Sequence, residues 1–247
     1  MARFQGSFSY AVDRGKVRVG NDDQARVVCN AKGDILLIVC DGMGGQNKGD
    51  YASKYAVDAL SEAFLARTKP IPSLSKWWLS RVIKGINREI FSDSEKNPIY
   101  KGMGTTLVCA LIEGERMTIA NVGDSRAYSY SEGRLTRLTE DQTYVGYLYR
   151  AGKISEFETK TRSDRHILMN AIGVFPSSSI DVKVLPYRGE TILCCSDGLY
   201  NNLSESEIRA IVSGDERAEA KVHSLIGDAN AHGGSDNIAI AYWEAKR

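Results

Sequence analysis

Four aspartates are set apart by their surroundings: Asp41 in Asp41-Gly42-Met43-Gly44-Gly45, Asp124 in Gly123-Asp124-Ser125, Asp197 in Ser196-Asp197-Gly198, and Asp236 in Gly233-Gly234-Ser235-Asp236-Asn237. Each borders a strand-like run and a glycine or serine. A carboxylate at a strand end is held by the sheet yet opens on a cleft, and a neighbouring glycine lets backbone or ligand approach closely. Four such groups can converge on hard cations. Magnesium and manganese favour oxygen ligands, so aspartates with hardly any histidine or thiolate among them point to those ions rather than to zinc. Any one of the four alone reads as an Asp-Gly turn or a Ser-Asp helix cap; four in matching settings favour a site. Asp13, Asp34 and Asp141 lack the full setting and read as turn or capping residues.

These residues need elements to position them. The run Asp34 to Cys40 is almost continuously apolar and rich in β-branched residues, and it ends at the glycine cluster, which predicts a buried strand. Asp50 to Arg67 places Ala52, Tyr55, Ala56, Ala59, Leu60, Ala63 and Phe64 at helical spacing, with Pro70 and Pro72 marking the end. Leu74 to Phe91 repeats the pattern through Leu79, Val82, Ile83, Ile86 and Ile90, so two neighbouring helices are expected. Thr105 to Ile112, Arg116 to Val122 and Arg126 to Tyr130 read as an antiparallel meander. A polar, partly helical stretch from Asp141 to Arg165 follows. Strands resume at Ser179 to Leu185, Glu190 to Ser196 and Asn237 to Trp243, around helices near Ser204 to Val212 and Arg217 to Ala229. Helices inserted among antiparallel strands suggest helices covering sheets rather than repeating βαβ units.

Composition excludes several classes. The 247 residues are read as one domain, 1–247, with the 43% hydrophobic and 26% charged balance of a soluble globular chain. No stretch reaches the roughly 18 apolar residues of a membrane span, and the start lacks a signal-peptide core, so residence in the cytoplasm is expected. With 32 basic against 31 acidic residues, binding to nucleic acid through phosphate contacts is not expected. The five cysteines sit mostly in apolar runs without CxxC spacing and read as buried reduced thiols. His166, His223 and His232 are too few and scattered for a histidine-based site and read as structural.

In order along nearly the whole chain, the motifs resemble the protein phosphatase 2C family, the metal-dependent protein phosphatases, and its compact bacterial members in particular. Arg18-Val19-Gly20-Asn21-Asp22-Asp23 resembles the family's R-x-x-N-E-D, and Asp41 to Gly45 its DG-x-GG. Gly104-Thr105-Thr106, Asn121 to Arg126, Leu138 to Asp141, Ala171-Ile172-Gly173, Cys195 to Leu199 and Gly233 to Asn237 follow in the family's order. The resemblance implies an α+β fold, a four-layer α/β/β/α sandwich of two antiparallel sheets flanked by helices, with a centre for two Mn2+ or Mg2+ ions at one end. On that pattern Asp41 bridges both ions, Gly42 offers its carbonyl, Asp22 and Asp23 serve one ion, Asp197 and Asp236 the other, and Asp124 a third. Arg18 is the implied phosphate clamp, its guanidinium fork suited to two phosphate oxygens. Asn237 is expected to buttress Asp236, and Thr105 and Thr106 to be buried strand residues.

The implied activity is hydrolysis of phosphoserine and phosphothreonine in proteins by a water activated between the ions, in a monomer that opposes a bacterial serine/threonine kinase. A pseudophosphatase binding module and a hydrolase of small phosphoesters are the alternatives. The chain departs from the family pattern at Met43, where animal members carry histidine, at Asp22 for the usual Glu or Gln, at Gln142 for histidine, and at Ser163-Asp164 for His-Pro. Tyr144 to Arg165, beside the expected centre, is the stretch suited to substrate contact.

Overall fold

The computed structural model describes residues 4–44, 48–67 and 71–246. Met1 to Arg3, Gly45 of the glycine cluster, and Pro70, expected to end the first helix, lie outside the described residues. In chain order the strands are β1 (Gly6–Asp13), β2 (Asp23–Cys29), β3 (Ile35–Met43), β4 (Gly104–Thr105), β5 (Leu107–Glu113), β6 (Arg116–Val122), β7 (Arg126–Ser131), β8 (Arg134–Arg137), β9 (Asp181–Pro186), β10 (Thr191–Cys195) and β11 (Ile238–Ala245). The helices are α1 (Lys48–Leu65), α2 (Ser75–Lys96), α3 (Tyr144–Arg150), α4 (Glu156–Thr161), α5 (Asp197–Tyr200), α6 (Glu205–Val212) and α7 (Ala218–Ala231). One sheet has the order β1-β11-β10-β7-β8; the other has β2-β3-β5-β6-β9, with β4 added to β3. All pairings are antiparallel.

Period-two alternation divides the strands between separate cores. In β3, Leu36, Ile38 and Cys40 face α1 and α2, while Ile35, Leu37 and Val39 face the other sheet. In β11, Ala239, Ala241 and Trp243 face the inter-sheet layer, while Ile238, Ile240 and Tyr242 pack toward α6 and α7. Both faces of these strands are buried, which is why their sequences run continuously apolar instead of alternating. The result is the expected α/β/β/α sandwich.

Two expectations need correction, and strands β1 and β2 lie outside what the sequence pattern announces. β5 and β6 pair as a hairpin, but β6 and β7 belong to different sheets, so the stretch after Thr105 is no single meander. The turn Gly123-Asp124-Ser125 carries the chain across the sandwich; Gly123 has φ +100°, and a Cβ there would meet Thr106 at 2.7 Å. β1 and β2 carry no long apolar run, because both are edge strands: no residue of β1 is buried, and in β2 only Asp23, Ala25 and Val27 are. Cys40, Cys109, Cys194 and Cys195 are buried free thiols, but Cys29, at the end of edge strand β2, is exposed.

The far ends of α1 and α2 are joined to the sheet by a buried charge cluster. Arg67 lies 3.0 Å from Glu113 with side chains 8% and 1% exposed, an ion-pair contact angled away from hydrogen-bond geometry. Arg67 also donates to Ser75, whose hydroxyl donates to Glu113, and stacks 4.3 Å over Trp78. Removing one partner of such a pair leaves a buried charge uncompensated. Glu113→Ala should therefore cost about 3–5 kcal/mol in urea unfolding, and Arg67→Met in the same background should recover part of the loss; a single-variant loss below about 1 kcal/mol would place the pair outside the core energetics.

Candidate active site

Strand register brings the first two carboxylates together. Asp23, opening β2, is the cross-strand partner of Asp41 in β3. On the other sheet the end of β10 lies beside the start of β11, which places Asp197, the first residue of α5, near Asp236, two residues before β11. Asp124 arrives from the turn that crosses between the sheets. Desolvation, followed by the charges of Asp23, Asp197, Asp124 and Asp236, holds the Asp41 carboxyl far above the ordinary carboxylate range. Desolvation lifts Asp23 to about 8, with the Ser196 hydroxyl opposing and the charges of Asp197 and Asp236 adding. Burial, then Asp197 and Asp141, lift Asp124 to about 8 against the opposing charge of Arg126. Asp197 rises to about 6 through burial and Asp236, opposed by Arg18, Arg126 and a hydrogen bond from Asn201. Five of the predicted residues thus share one field.

Their backbone supports are specific. The Asp41 N–H donates to Thr106 Oγ1 at 3.0 Å, while the Asp41 carbonyl accepts from the Thr106 N–H at 2.8 Å and from the Thr105 hydroxyl at 2.9 Å. Thr105 and Thr106 are buried, as expected, yet they also fix the residue that leads the cluster. Gly42 follows, where a Cβ would stand 2.3 Å from the Gly49 carbonyl and 2.5 Å from that of Asp22; no larger residue lets α1 begin so close to the strand. Asn237 bonds Asp236 as expected, through its backbone, and its side chain does something further. Its backbone N–H reaches Asp236 at 2.8 Å, but its side chain accepts from the Asp22 N–H and donates to the carbonyls of Arg14 and Gly20, each at 2.9 Å. It ties the loop bearing Arg18 and Asp22 to β11.

Arg18 reaches into the cluster from that loop, 2.7 Å from Asp236, with its side chain 57% exposed. Asp22 stands at the margin: desolvation and the charge of Asp50 raise its pKa, and its other charged neighbours are Arg18 and Asp236. Asp13, Asp34 and Asp141 hold other protein groups, Asp13 reaching as far as the Asn230 side chain. Asp13 accepts from the Gly15 N–H, and Asp34 from the Asn30 side chain. Asp141 holds Arg126 through two hydrogen bonds of 3.0 and 2.6 Å. Behind the cluster, Arg126 lies 3.5 Å over the Tyr200 ring, and the Tyr200 hydroxyl donates to the Asp124 carbonyl. Arg126, Tyr200 and the threonine pair escape sequence reasoning because their support runs through backbone atoms and stacking, although Arg126 lies inside a motif already conspicuous for Asp124. Away from the cluster, His232 closes α7 with Nδ1 2.8 Å from the Asp228 carbonyl.

A protein phosphatase 2C family model matches residues 16–224. The chain belongs to the protein phosphatase 2C family. It is 38% identical over 233 residues to the serine/threonine phosphatase stp of Listeria monocytogenes, covering 94% of this chain and 92% of that protein. The crystal structure of the serine/threonine phosphatase Stp1 from Staphylococcus aureus superposes with TM-score 0.94 at 30% identity, over 99% of this chain and 97% of that one. The catalytic domain of the serine/threonine protein phosphatase PstP, solved in complex with two manganese ions, superposes with TM-score 0.84 at 30% identity, over 98% and 99% of the two chains.

Whether the residues of this 2C phosphatase suit such ions can be asked of the site itself. Among the described residues no three His, Cys, Asp or Glu side chains form a ready-made coordination group. Two buried carboxylate oxygens in the cluster, Asp23 Oδ2 and Asp197 Oδ1, nevertheless have no hydrogen-bond partner, an arrangement that costs free energy unless a cation or proton answers it. The donor set fits a hard divalent cation by its all-oxygen chemistry and its orphaned atoms, rather than by a closed cage.

The raised pKa values fix the sign of a pH effect. A carboxyl ordinarily near 3.8 that titrates near 8 when folded holds its proton longer in the folded chain. Its contribution to stability is full below the unfolded value and is lost as pH rises through the folded one. Metal-free protein should therefore melt at a lower temperature at pH 8 than at pH 5.5, and Asp23→Asn should remove part of that difference. A melting temperature that climbs from pH 5.5 to 8 in the presence of chelator would contradict the assignment.

Proposed function

We propose that the chain is a metal-dependent protein serine/threonine phosphatase that hydrolyses phosphoserine and phosphothreonine by attack of water at a two-metal aspartate centre. The observation that carries this reading is the convergence of Asp23, Asp41, Asp124, Asp197 and Asp236 into one desolvated field with oxygens left unpartnered. Asp23 with Asp22, Asp41 with the Gly42 carbonyl, and Asp197 with Asp236 hold two Mn2+ or Mg2+ ions, and Asp124 helps to hold a third. When bound, such ions acidify a water and neutralise charge on phosphoryl oxygens.

The chain's own groups do the rest. Arg18, its side chain 57% exposed, leaves Asp236 and presents its fork to the phosphoryl group. The threonine pair keeps Asp41 from shifting as charge develops, and Asn237 keeps the Arg18 loop at a constant distance from the cluster. Met43 has no proton to give, so the leaving alkoxide takes its proton from solvent water. The substrates are proteins phosphorylated by a serine/threonine kinase, and residues 1–247 act as one monomeric catalytic domain.

Phosphate release from a phosphothreonine peptide and from p-nitrophenyl phosphate, with manganese, magnesium or EDTA, tests the reading. Turnover should require the metal, and Asp41→Asn and Asp197→Asn should each lower it by about a hundredfold or more. A folded, manganese-loaded protein without turnover would make the chain a binding module. Turnover confined to p-nitrophenyl phosphate would make it a hydrolase of small phosphoesters.

A further inference from the structure

Charge is distributed unevenly in a chain whose net formal charge is only +1. Between Glu62 and Glu89 there is no acidic residue, while Arg67, Lys69, Lys76, Arg81, Lys84 and Arg88 all fall there. Arg67 is consumed by the buried cluster with Glu113. On α2, Trp77, Arg81, Lys84 and Arg88 recur at spacings of four, three and four residues, so they share a single stripe. The stripe lies opposite the buried Leu79, Ile83, Ile86 and Ile90. Among the described residues none of its three cations forms an ion pair; Arg81 lies 5.4 Å over the Trp77 ring.

The stripe has an apolar end. Trp77 is 60% exposed, and Leu65 and Leu74 beside the junction of α1 and α2 are 57% and 50% exposed. Core packing does not need these side chains, because Trp78 and Leu79 already fill the inward face. The Arg67, Ser75 and Glu113 contacts hold this tip against the end of β5. That end pairs with Ile35 at the start of β3, whereas Asp41 lies six residues further along β3, on the order of 20 Å away. The tip and the carboxylate cluster therefore occupy opposite ends of the sheet.

We propose that the outer face of α2 docks this protein on an anionic phospholipid surface, with Arg81, Lys84 and Arg88 at the level of the phosphates and Trp77 and Leu74 entering the interface. Charge complementarity names the partner. A straight row of unpaired cations about 10 Å long matches a plane of negative headgroups, and an aromatic residue beside it suits the boundary between headgroup and acyl chain. An acidic polypeptide fits less well, because the exposed ridge of a helix is convex and α2 offers polar partners for a peptide backbone only at its edge. Each cation near such a surface strengthens binding roughly fivefold, so docking is reversible and salt-sensitive. The inference does not depend on the proposed catalysis.

Co-sedimentation of the whole chain with vesicles tests it, using phosphatidylglycerol mixed with phosphatidylcholine, phosphatidylcholine alone, and soluble polyglutamate as competitor. Binding is expected to the anionic vesicles only, weakening as salt is raised. Lys84→Glu combined with Arg88→Glu should reduce it roughly 25-fold or more at an unchanged melting temperature. Tryptophan emission should shift to the blue on binding, and Trp77→Phe should abolish that shift. The proposal is overturned if anionic vesicles do not bind at low salt, if binding survives the double reversal, or if polyglutamate binds the stripe in preference to the vesicles.

Discussion

Mutual repulsion among carboxylates at one end of the sandwich is the constraint around which the rest of this structure is arranged. Asp23, Asp41, Asp124, Asp197 and Asp236 arrive from both sheets and from the turn between them, and desolvation pushes up the first four. Left to relax, such groups would separate or draw in water. The sandwich prevents this through register: Asp23 is locked opposite Asp41 by the β2–β3 ladder, and β10 pairs with β11 so that Asp197 cannot move away from Asp236. The Thr105 and Thr106 contacts to Asp41, and the Ser196 hydroxyl that accepts from the Ala239 N–H, add restraint at the backbone. The scaffold therefore stores an unfavourable charge arrangement that a divalent cation relieves, and the stability of the sheets is what permits it.

The cations already present in the protein moderate the repulsion without abolishing it. Arg126, fixed by Asp141 and Tyr200, stands behind Asp124 and Asp197, and Arg18 stands in front on Asp236. Their difference in burial separates their capacities. Arg126 has two hydrogen bonds to one carboxylate and an aromatic ring beneath it, so it acts as a permanent background charge. Among the described residues Arg18 has Asp236 as its single hydrogen-bond partner and is exposed to solvent, which would suit the phosphate-binding role proposed for it. The loop carrying Arg18 is anchored by the side chain of Asn237, the residue before β11, so the reach of the guanidinium is set by a position distant in sequence.

Much of this was legible in the sequence. The Asp34 to Cys40 run read as a buried strand, and the periodicity of Ala52 to Phe64 and Leu79 to Ile90 read as two neighbouring helices. The aspartates were legible because four of them shared a strand-end setting that a lone Asp-Gly turn does not explain. Other features depend on pairing at a distance, which local pattern does not carry. Nothing in Val122-Gly123-Asp124-Ser125-Arg126 reveals that the chain changes sheets there instead of turning back. Edge strands β1 and β2 lack a long apolar run because solvent reaches every residue of β1 and alternate residues of β2. Asn237 looked like a neighbour of Asp236 by adjacency, while its side chain points at a loop more than 200 residues earlier.

The central claim is that burial, with the charges of neighbouring carboxylates adding to it, holds Asp23, Asp41 and Asp124 protonated until a divalent cation displaces the protons. Titration of manganese into the metal-free protein at pH 7, by calorimetry in two buffers of different protonation enthalpy, counts the protons released on binding. With Asp23 and Asp124 both titrating near 8, the account predicts release of more than one proton per chain. Tight manganese binding with no proton release would show that the cluster is already ionised and would contradict it.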